Sequence, residues 1–287
     1  MRSKARTAEG MRLLAICGCC ALLPAATFAD GPYAPAAGQS GTTAIPANDS
    51  RIVAWGSSVA DLQRGPQQIG DSKLGNANWG DGADALRAAD ASVGFTAPVV
   101  SLGDGGWITL RFAQPITDGP GPDFAVFENG LTDTFLELAF VLISSDGIAF
   151  ERFDSVSLTP TQTQVNGDDS GGTFGTVDPR NLHNLAGKYR AGFGTPFDLA
   201  ELAGRNPNVD VRAVRFVQIR DVIGSIDPLY ATSDSQGHRI NDPWATPYVT
   251  SGFDLDAIAV LHQVPEPSFP ALLAIGLLGF AARRRIR

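Results

Sequence analysis

Apolar residues in this 287-residue chain occur in short runs that are separated by Gly, Asp, Asn and Pro, a pattern of strands and turns. The clearest run is Phe124–Phe127, which is apolar at successive positions and therefore on both faces of a strand. A turn sequence at 118–122 precedes it, and Glu128-Asn129-Gly130 follows it. We expect this segment to be a central strand, covered on both sides, with oxygen-bearing side chains at its ends.

Two further pairs of runs predict hairpins. Val99–Leu102 and Trp107–Phe112 flank Asp104-Gly105-Gly106, and Phe135–Ser144 and Ile148–Phe153 flank Ser145-Asp146-Gly147. Additional strands are expected at Ile52–Trp55, Val211–Ile223 and Phe253–Leu261.

One short helix is predicted between Thr195 and Gly204. Thr195 is suited to the N-cap, Pro196 to the first helical position, and Gly204 to the end of the helix. Strands with turns at short intervals and a single short helix favour an all-β sandwich or barrel.

Both ends of the chain have the patterns of export signals. Residues 1–29 combine basic residues, an apolar run over Leu13–Leu23 and small residues up to Ala29, as in a signal peptide cleaved after Ala29; the start at Met1 or Met11 stays open. Near the other end, the apolar run Phe269–Ala282 is too short for a stable span of about 20 residues. With basic residues after it, this run predicts a short hydrophobic helix that inserts transiently in the inner membrane with its arginines in the cytoplasm.

These patterns divide the chain into a signal peptide (1–29), a flexible lead (30–50), a β-sandwich domain (51–262) and a sorting segment (263–287). The two ends carry eight of the 22 basic residues and two of the 30 acidic ones, so the body has a net charge of −14 against −8 for the whole chain. Such a surface repels nucleic acid. All three cysteines lie in residues 1–29, so the mature protein has no thiol for a disulfide or a thiolate metal site.

The C-terminal segment resembles the PEP-CTERM sorting signal of Gram-negative bacteria. It has the Pro-Glu-Pro element, the apolar run and the terminal basic cluster: Pro265, Glu266, Pro267, Arg283, Arg284 and Arg285. The resemblance implies an exosortase as the processing partner and delivery to the cell surface, the outer membrane or the extracellular matrix. Whether the tail is cleaved or retained stays open, and an ordinary tail anchor is the alternative.

The body is similar to a family of bacterial cell-surface proteins without a settled activity. The similarity rests on 102–106, 118–130, 144–147, 184–190, 221–227 and 252–258. It implies an all-β jelly-roll sandwich, like the galactose-binding-like carbohydrate modules.

Acidic residues at the ends of two expected strands predict a calcium site. Asp254 and Asp256 lie two positions apart on one strand, which places both side chains on one face about 7 Å apart. Ca²⁺ binds six to eight hard oxygen ligands. The predicted ligands are Asp123, Glu128, Asn129, Asp254 and Asp256; the alternative is that Asp254 caps a turn and Asp256 pairs with an arginine.

Aromatic residues in expected loops suggest saccharide binding, because loops at one end of a sandwich commonly carry binding residues. Trp79 is one of them, and the other predicted ligand-binding residues are Tyr189, Arg190, Tyr230, Asp242, Trp244 and Tyr248. Each aromatic ring could instead close the edge of the sandwich.

A catalytic role is the weaker prediction. Glu128 and Glu137 could form the carboxylate pair of a glycosidase, but the three histidines are scattered and no nucleophile motif is present. The sequence therefore predicts an exported, calcium-stabilised binding or structural protein that contacts exopolysaccharide, with a polysaccharide hydrolase or a nutrient-capture protein as alternatives.

Overall fold

The computed structural model describes residues 31–92, 98–168 and 173–265. The predicted signal peptide, the sorting-motif residues from Glu266 onward and the short helix predicted within the tail lie outside the described residues. Within the described ranges the chain forms thirteen strands: β1 (Ile45–Pro46), β2 (Ala54–Trp55), β3 (Ser58–Gln63), β4 (Val100–Ser101), β5 (Trp107–Ile116), β6 (Phe124–Glu128), β7 (Ala139–Ser144), β8 (Glu151–Arg152), β9 (Val156–Ser157), β10 (Leu182–His183), β11 (Phe193–Phe197), β12 (Val214–Asp221) and β13 (Asp254–Val260).

Most of these strands form two antiparallel sheets. The first sheet has the order β1-β11-β6-β13-β2, with β4 also paired to β13, and the second has the order β3-β5-β12-β7-β8. Strands β9 and β10 form a separate two-stranded ribbon. The predicted all-β sandwich is confirmed.

The main core lies between the two sheets. Phe124 and Val126 of β6 and Ile258 of β13 belong to the same buried cluster as Ile108 of β5 and Val217 of β12. Alternate residues of each strand point inward because side chains alternate across a strand. This core holds the ends of β6 and β13 in fixed positions.

Strand β6 is buried on both faces, as the sequence predicts. All five of its residues are buried, and the outward-facing Ala125 and Phe127 pack with Ile45 and Leu261 in a second cluster. Strand β13 is likewise buried throughout, so the sheet is covered on its outer side here.

The first predicted hairpin is wrong and the second is correct. Strand β4 pairs with β13 in the first sheet, whereas β5 pairs with β3 and β12 in the second sheet. The turn around Gly105 therefore carries the chain from one sheet to the other. Strands β7 and β8 do pair, with Leu142 opposite Arg152.

The predicted helix is displaced and shortened. Thr195 and Pro196 lie in β11, paired with β6, and a 3₁₀ helix follows only at Leu199–Leu202, with Asp198 as its N-cap. Other 3₁₀ turns occur at Gly82–Leu86 and Pro179–Asn181. In the described part of the chain, no helix is long and apolar enough to cross a membrane.

The expected flexible lead packs on the sandwich where the structure describes it, from residue 31 onward. Tyr33 donates its amide to the carbonyl of Arg180, and its ring stacks on His183 with centroids 5.0 Å apart. Ile45 is buried in β1. Proline and glycine in this segment thus shape an ordered path along the surface.

Candidate functional site: an acidic pocket at one end of the sandwich

Glu128 and Asp254 lie at the same end of the first sheet. Glu128 is the last residue of β6 and Asp254 the first of β13, and the antiparallel register places Leu255 opposite Glu128. Adjacent antiparallel strands therefore bring these two carboxylates to one edge.

Both carboxylates line a cavity of about 350 Å³. Glu137, from the segment that connects β6 to β7, contributes a third carboxylate, and Asn129 lies beside them. Loops that contain Gly167, Thr246 and Thr250 complete the walls. We call this cavity the acidic pocket.

Aromatic rings form much of the remaining lining of the acidic pocket. Trp79 and Tyr248 are 41% and 44% exposed, whereas Phe135 and Phe174 pack together with ring centroids 4.4 Å apart. Tyr248 donates its hydroxyl to Asp168 at 2.6 Å, which fixes the direction of its ring. The pocket thus joins a charged floor to apolar ring faces.

The floor contains buried carboxylate oxygens that accept no hydrogen bond. Glu128 is only 1% exposed and Asp254 only 6%, yet Glu128 Oε2 and Asp254 Oδ1 accept no hydrogen bond of normal geometry. The Ser101 hydroxyl near Asp254 and the backbone amides of Asn129 and Gly130 near Glu128 are the protein donors closest to satisfying these two acids. The other Asp254 oxygen accepts the Asn129 side-chain amide at 3.1 Å. An unsatisfied buried polar atom is costly, so these oxygens favour a donor supplied from outside the protein.

Burial also shifts the titration of the three acids. Burial, together with the charge of Asp254, raises the pKa of Glu128 well above its ordinary value. Burial raises the pKa of Asp254 to about 7, although hydrogen bonding from the Ser101 hydroxyl and the Asn129 amide and the charge of Arg64 lower it. The pKa of Glu137 is also raised well above its ordinary value, first by burial and then by the charges of Asp254 and Glu128.

No basic side chain compensates these charges from within the pocket. None of the described lining residues is Lys, Arg or His. Arg64 is close enough to favour the charged form of Asp254, but its guanidinium donates to the backbone carbonyls of Trp79, Gly80 and Ser101. The acidic pocket is therefore suited to a cationic or hydroxyl-rich ligand.

The five residues predicted as one calcium site do not come together. Asp123 and Glu128 lie at opposite ends of β6, about 16 Å apart along an extended strand. Asp123 accepts the amides of Gly119 and Leu199 and contacts His262 Nδ1 at 2.8 Å. Only Glu128, Asn129 and Asp254 of the predicted ligands share the pocket.

Asp256 is also separated from Asp254. Its carboxylate accepts the backbone amides of Asp90 and Ala91, and burial raises its pKa to about 6. The register shifts between Leu255 and Ala257, and such a bulge breaks the alternation that the two-residue spacing assumes.

A different acidic cluster contains Asp123. Its carboxylate and those of Asp118 and Asp198 offer ligand atoms within 4.8 Å of one another, and in the described part of the chain no other trio of metal-binding side chains meets this spacing. Asp118 is exposed and Asp123 is buried. The cluster lies at the opposite end of β6 from the acidic pocket.

Among the residues predicted to bind saccharide, Trp79 and Tyr248 line the acidic pocket. Tyr189 is buried and its hydroxyl lies 2.8 Å from Thr43 Oγ1. Arg190 pairs with Asp133 at 2.9 Å. Both side chains thus have partners within the protein.

The other three predicted saccharide ligands belong to loop packing. Asp242 is buried and accepts the amide of Leu138. Trp244 donates its indole N–H to Asp104 and lies 6.3 Å from the Tyr230 ring. These contacts join loop residues to one another. The Tyr230 and Trp244 rings pack together, which is the arrangement that the alternative to saccharide binding describes.

The sequence pairs Glu137 with Glu128 as candidate catalytic carboxylates and Glu128 with Asp254 as candidate calcium ligands. It does not bring Glu137, Asp254 and Trp79 into one site, and it gives no role to Phe135 and Phe174. The alternation of polar and apolar residues does not encode which loops meet at one end of a sandwich. Glu137 stands out in the sequence as a charged residue within an otherwise apolar run, whereas no pattern distinguishes Phe135 or Phe174.

Comparison with known proteins identifies the C-terminal segment. Residues 263–285 match the PEP-CTERM protein-sorting motif, which indicates an exported protein that exosortase sorts to the cell surface. No curated protein matches the chain. The resemblance of the body to the cell-surface family and to galactose-binding-like modules remains a prediction.

Proposed function

We propose that this exported protein is a non-catalytic binding module that holds a saccharide of the extracellular polymer in its acidic pocket. One observation carries the proposal: exposed aromatic rings and buried carboxylates line the same cavity at a loop-bearing end of the sandwich. Its volume lies at the lower end of the ~300–1,000 Å³ range of ligand pockets.

The chemistry of the lining matches the two kinds of surface on a sugar ring. The C–H face of a pyranose packs on an aromatic ring, a role for Trp79 and Tyr248. Hydroxyl groups donate to carboxylates, and Glu128 Oε2 and Asp254 Oδ1 have free acceptor capacity. Sorting to the surface brings such a pocket into contact with exopolysaccharide in the outer membrane layer or the matrix.

Binding to a glycan array tests the proposal. The full-length protein, purified in a detergent without a sugar head group, should bind a subset of glycans. Trp79→Ala should weaken that binding by about tenfold or more, since one stacked ring contributes about 1–3 kcal/mol. Trp79→Phe should retain part of it, and Trp107→Ala, on the second sheet and outside the pocket, should bind as the wild type does. Absence of saturable binding to every glycan would refute the saccharide role.

A calcium ion bound by Asp118, Asp123 and Asp198 is the second part of the same proposal. The three carboxylates supply hard oxygen ligands, and the irregular turn at 118–122 offers carbonyls of the kind that complete a calcium shell. Calcium should raise the melting temperature of the wild type and have no effect on Asp118→Asn. An unchanged melting curve with calcium and with EDTA would remove the ion.

A glycoside hydrolase is the second candidate function, because Glu128 and Glu137 share a cavity and burial raises the pKa of both. A raised pKa is what a general acid requires. Release of reducing ends from a bound polysaccharide, abolished in Glu128→Gln or Glu137→Gln, would establish catalysis and replace the binding role. Binding without turnover supports the non-catalytic proposal.

A further inference from the structure

We infer that the acidic pocket selects saccharides that carry a protonated amine, the amino sugars, over their neutral or N-acetylated counterparts. This inference rests on the saccharide-binding role proposed above and adds the charge of the ligand.

The first support is the uncompensated charge of the pocket. Three carboxylates line it, and none of its described lining residues is basic. Arg64, the nearby cation, directs its guanidinium to three backbone carbonyls. A neutral sugar would leave the carboxylates facing one another, whereas an ammonium group on the sugar would offset their repulsion.

The second support is a pair of buried carboxylate oxygens that accept no hydrogen bond of normal geometry from the protein. Glu128 Oε2 and Asp254 Oδ1 belong to side chains that are at least nine-tenths buried and that line the cavity. An ammonium group has three N–H donors, and hydrogen bonds between charged groups are stronger than those from a neutral hydroxyl. Two of its donors would bond to Glu128 and Asp254, and the charge of Glu137 would add attraction at longer range.

A metal ion fits the acidic pocket less well than an organic cation does. Within the described part of the chain, Glu128, Glu137 and Asp254 do not meet the 4.8 Å spacing of ligand atoms that Asp118, Asp123 and Asp198 meet. Four of the thirteen lining residues are aromatic, and aromatic faces do not ligate hard cations such as Ca²⁺. They do attract an ammonium group and pack on the carbon frame that carries it.

The test compares glucosamine oligomers with N-acetylglucosamine oligomers of the same length by isothermal titration at neutral pH. The full-length protein, in a detergent without a sugar head group, should bind the amine form at least about tenfold more tightly, the factor expected for one charge-assisted hydrogen bond. Glu128→Gln and Asp254→Asn keep the shape of the side chains and should each remove this preference.

A control separates the pocket from the general attraction of an acidic protein for cationic oligomers. Asp90→Asn removes one exposed carboxylate outside the pocket and should leave the preference unchanged. A preference that falls equally in Asp90→Asn and Asp254→Asn overturns the inference. Equal or tighter binding of the N-acetylated oligomers also overturns it, while the saccharide-binding role stands. Failure of every oligosaccharide to bind refutes both.

Discussion

The buried acids of this protein differ in how many hydrogen bonds their carboxylates accept. Asp221 accepts the amides of Gly105 and Phe253, and Asp242 accepts the amide of Leu138, so these acids fasten loops. Glu128 and Asp254 keep oxygens that accept no hydrogen bond of normal geometry inside the acidic pocket. Hydrogen bonding within the protein therefore distinguishes acids that hold loops from Glu128 and Asp254, the acids to which we assign ligand binding.

Asp254 should make stability depend on pH. Burial raises the pKa of Asp254 from 3.8 to about 7, so the folded protein binds a proton more readily than the unfolded chain does. The associated stability is complete below about pH 4 and is lost as pH rises through about 7. Asp254→Asn should be more stable than the wild type at about pH 8, by at most about 4 kcal/mol, and should lose most of this advantage at low pH.

Urea unfolding of both proteins across this pH range, without added ligand, measures the effect. Asp90→Asn serves as the control for removing one charge. Parallel stability curves for Asp254→Asn and the wild type would show that this carboxylate does not titrate as its burial requires.

Among the elements, β6 and its two ends explain most of what is specific to this fold. Its Glu128 end opens on the acidic pocket, and its Asp123 end holds the turn before the strand to the 3₁₀ helix after β11. One end of this strand thus opens on the pocket to which we assign saccharide binding, and the carboxylate beside the other end accepts two backbone amides.

Removal of the Asp123 carboxylate should therefore cost stability. Asp123→Ala leaves the amides of Gly119 and Leu199 without their acceptor, at a cost of about 2–4 kcal/mol. The neighbouring Asp118→Ala, at an exposed position, should change stability by less than about 0.5 kcal/mol when both are compared by urea unfolding in EDTA. Equal losses in the two variants would contradict this role of Asp123.

Strands that are buried along their length are predicted well from the sequence. Segments whose structure is set by pairing with another strand are predicted poorly. The apolar runs in β6, β7 and β13 identify those strands, because both faces or one full face must be buried. The mainly exposed β3 has no such pattern, and the capping signals at Thr195 and Pro196 are overridden by the pairing of β11 with β6. The pocket residues at strand ends, Glu128 and Asp254, can be predicted because strand ends are local features of the sequence. Which loops pack beside them cannot be predicted in this way, because that depends on tertiary structure.

At the scale of the whole molecule, the chain combines a sandwich body with a C-terminal sorting motif. The PEP-CTERM motif at 263–285 indicates an exported protein that exosortase sorts to the surface, and the body carries the pocket to which we assign saccharide binding.

Sorting should depend on the Pro-Glu-Pro element. Replacement of Pro265, Glu266 and Pro267 by alanine in an exporting host should leave the protein in the inner-membrane fraction, because the processing enzyme no longer recognises its substrate. Replacement of Arg51, in the body, should leave sorting unchanged. Cell fractionation measures the outcome. Normal delivery of the triple-alanine variant to the surface would contradict this role.

The most direct test of the account is a binding isotherm between the full-length protein and oligosaccharides from the surface polymer of the cell that exports it. The account predicts saturable binding at one site per chain, weakened about tenfold or more by Trp79→Ala and by Asp254→Asn. An isotherm that shows no saturable binding, or one that both substitutions leave unchanged, would contradict the assignment of the acidic pocket as a saccharide site.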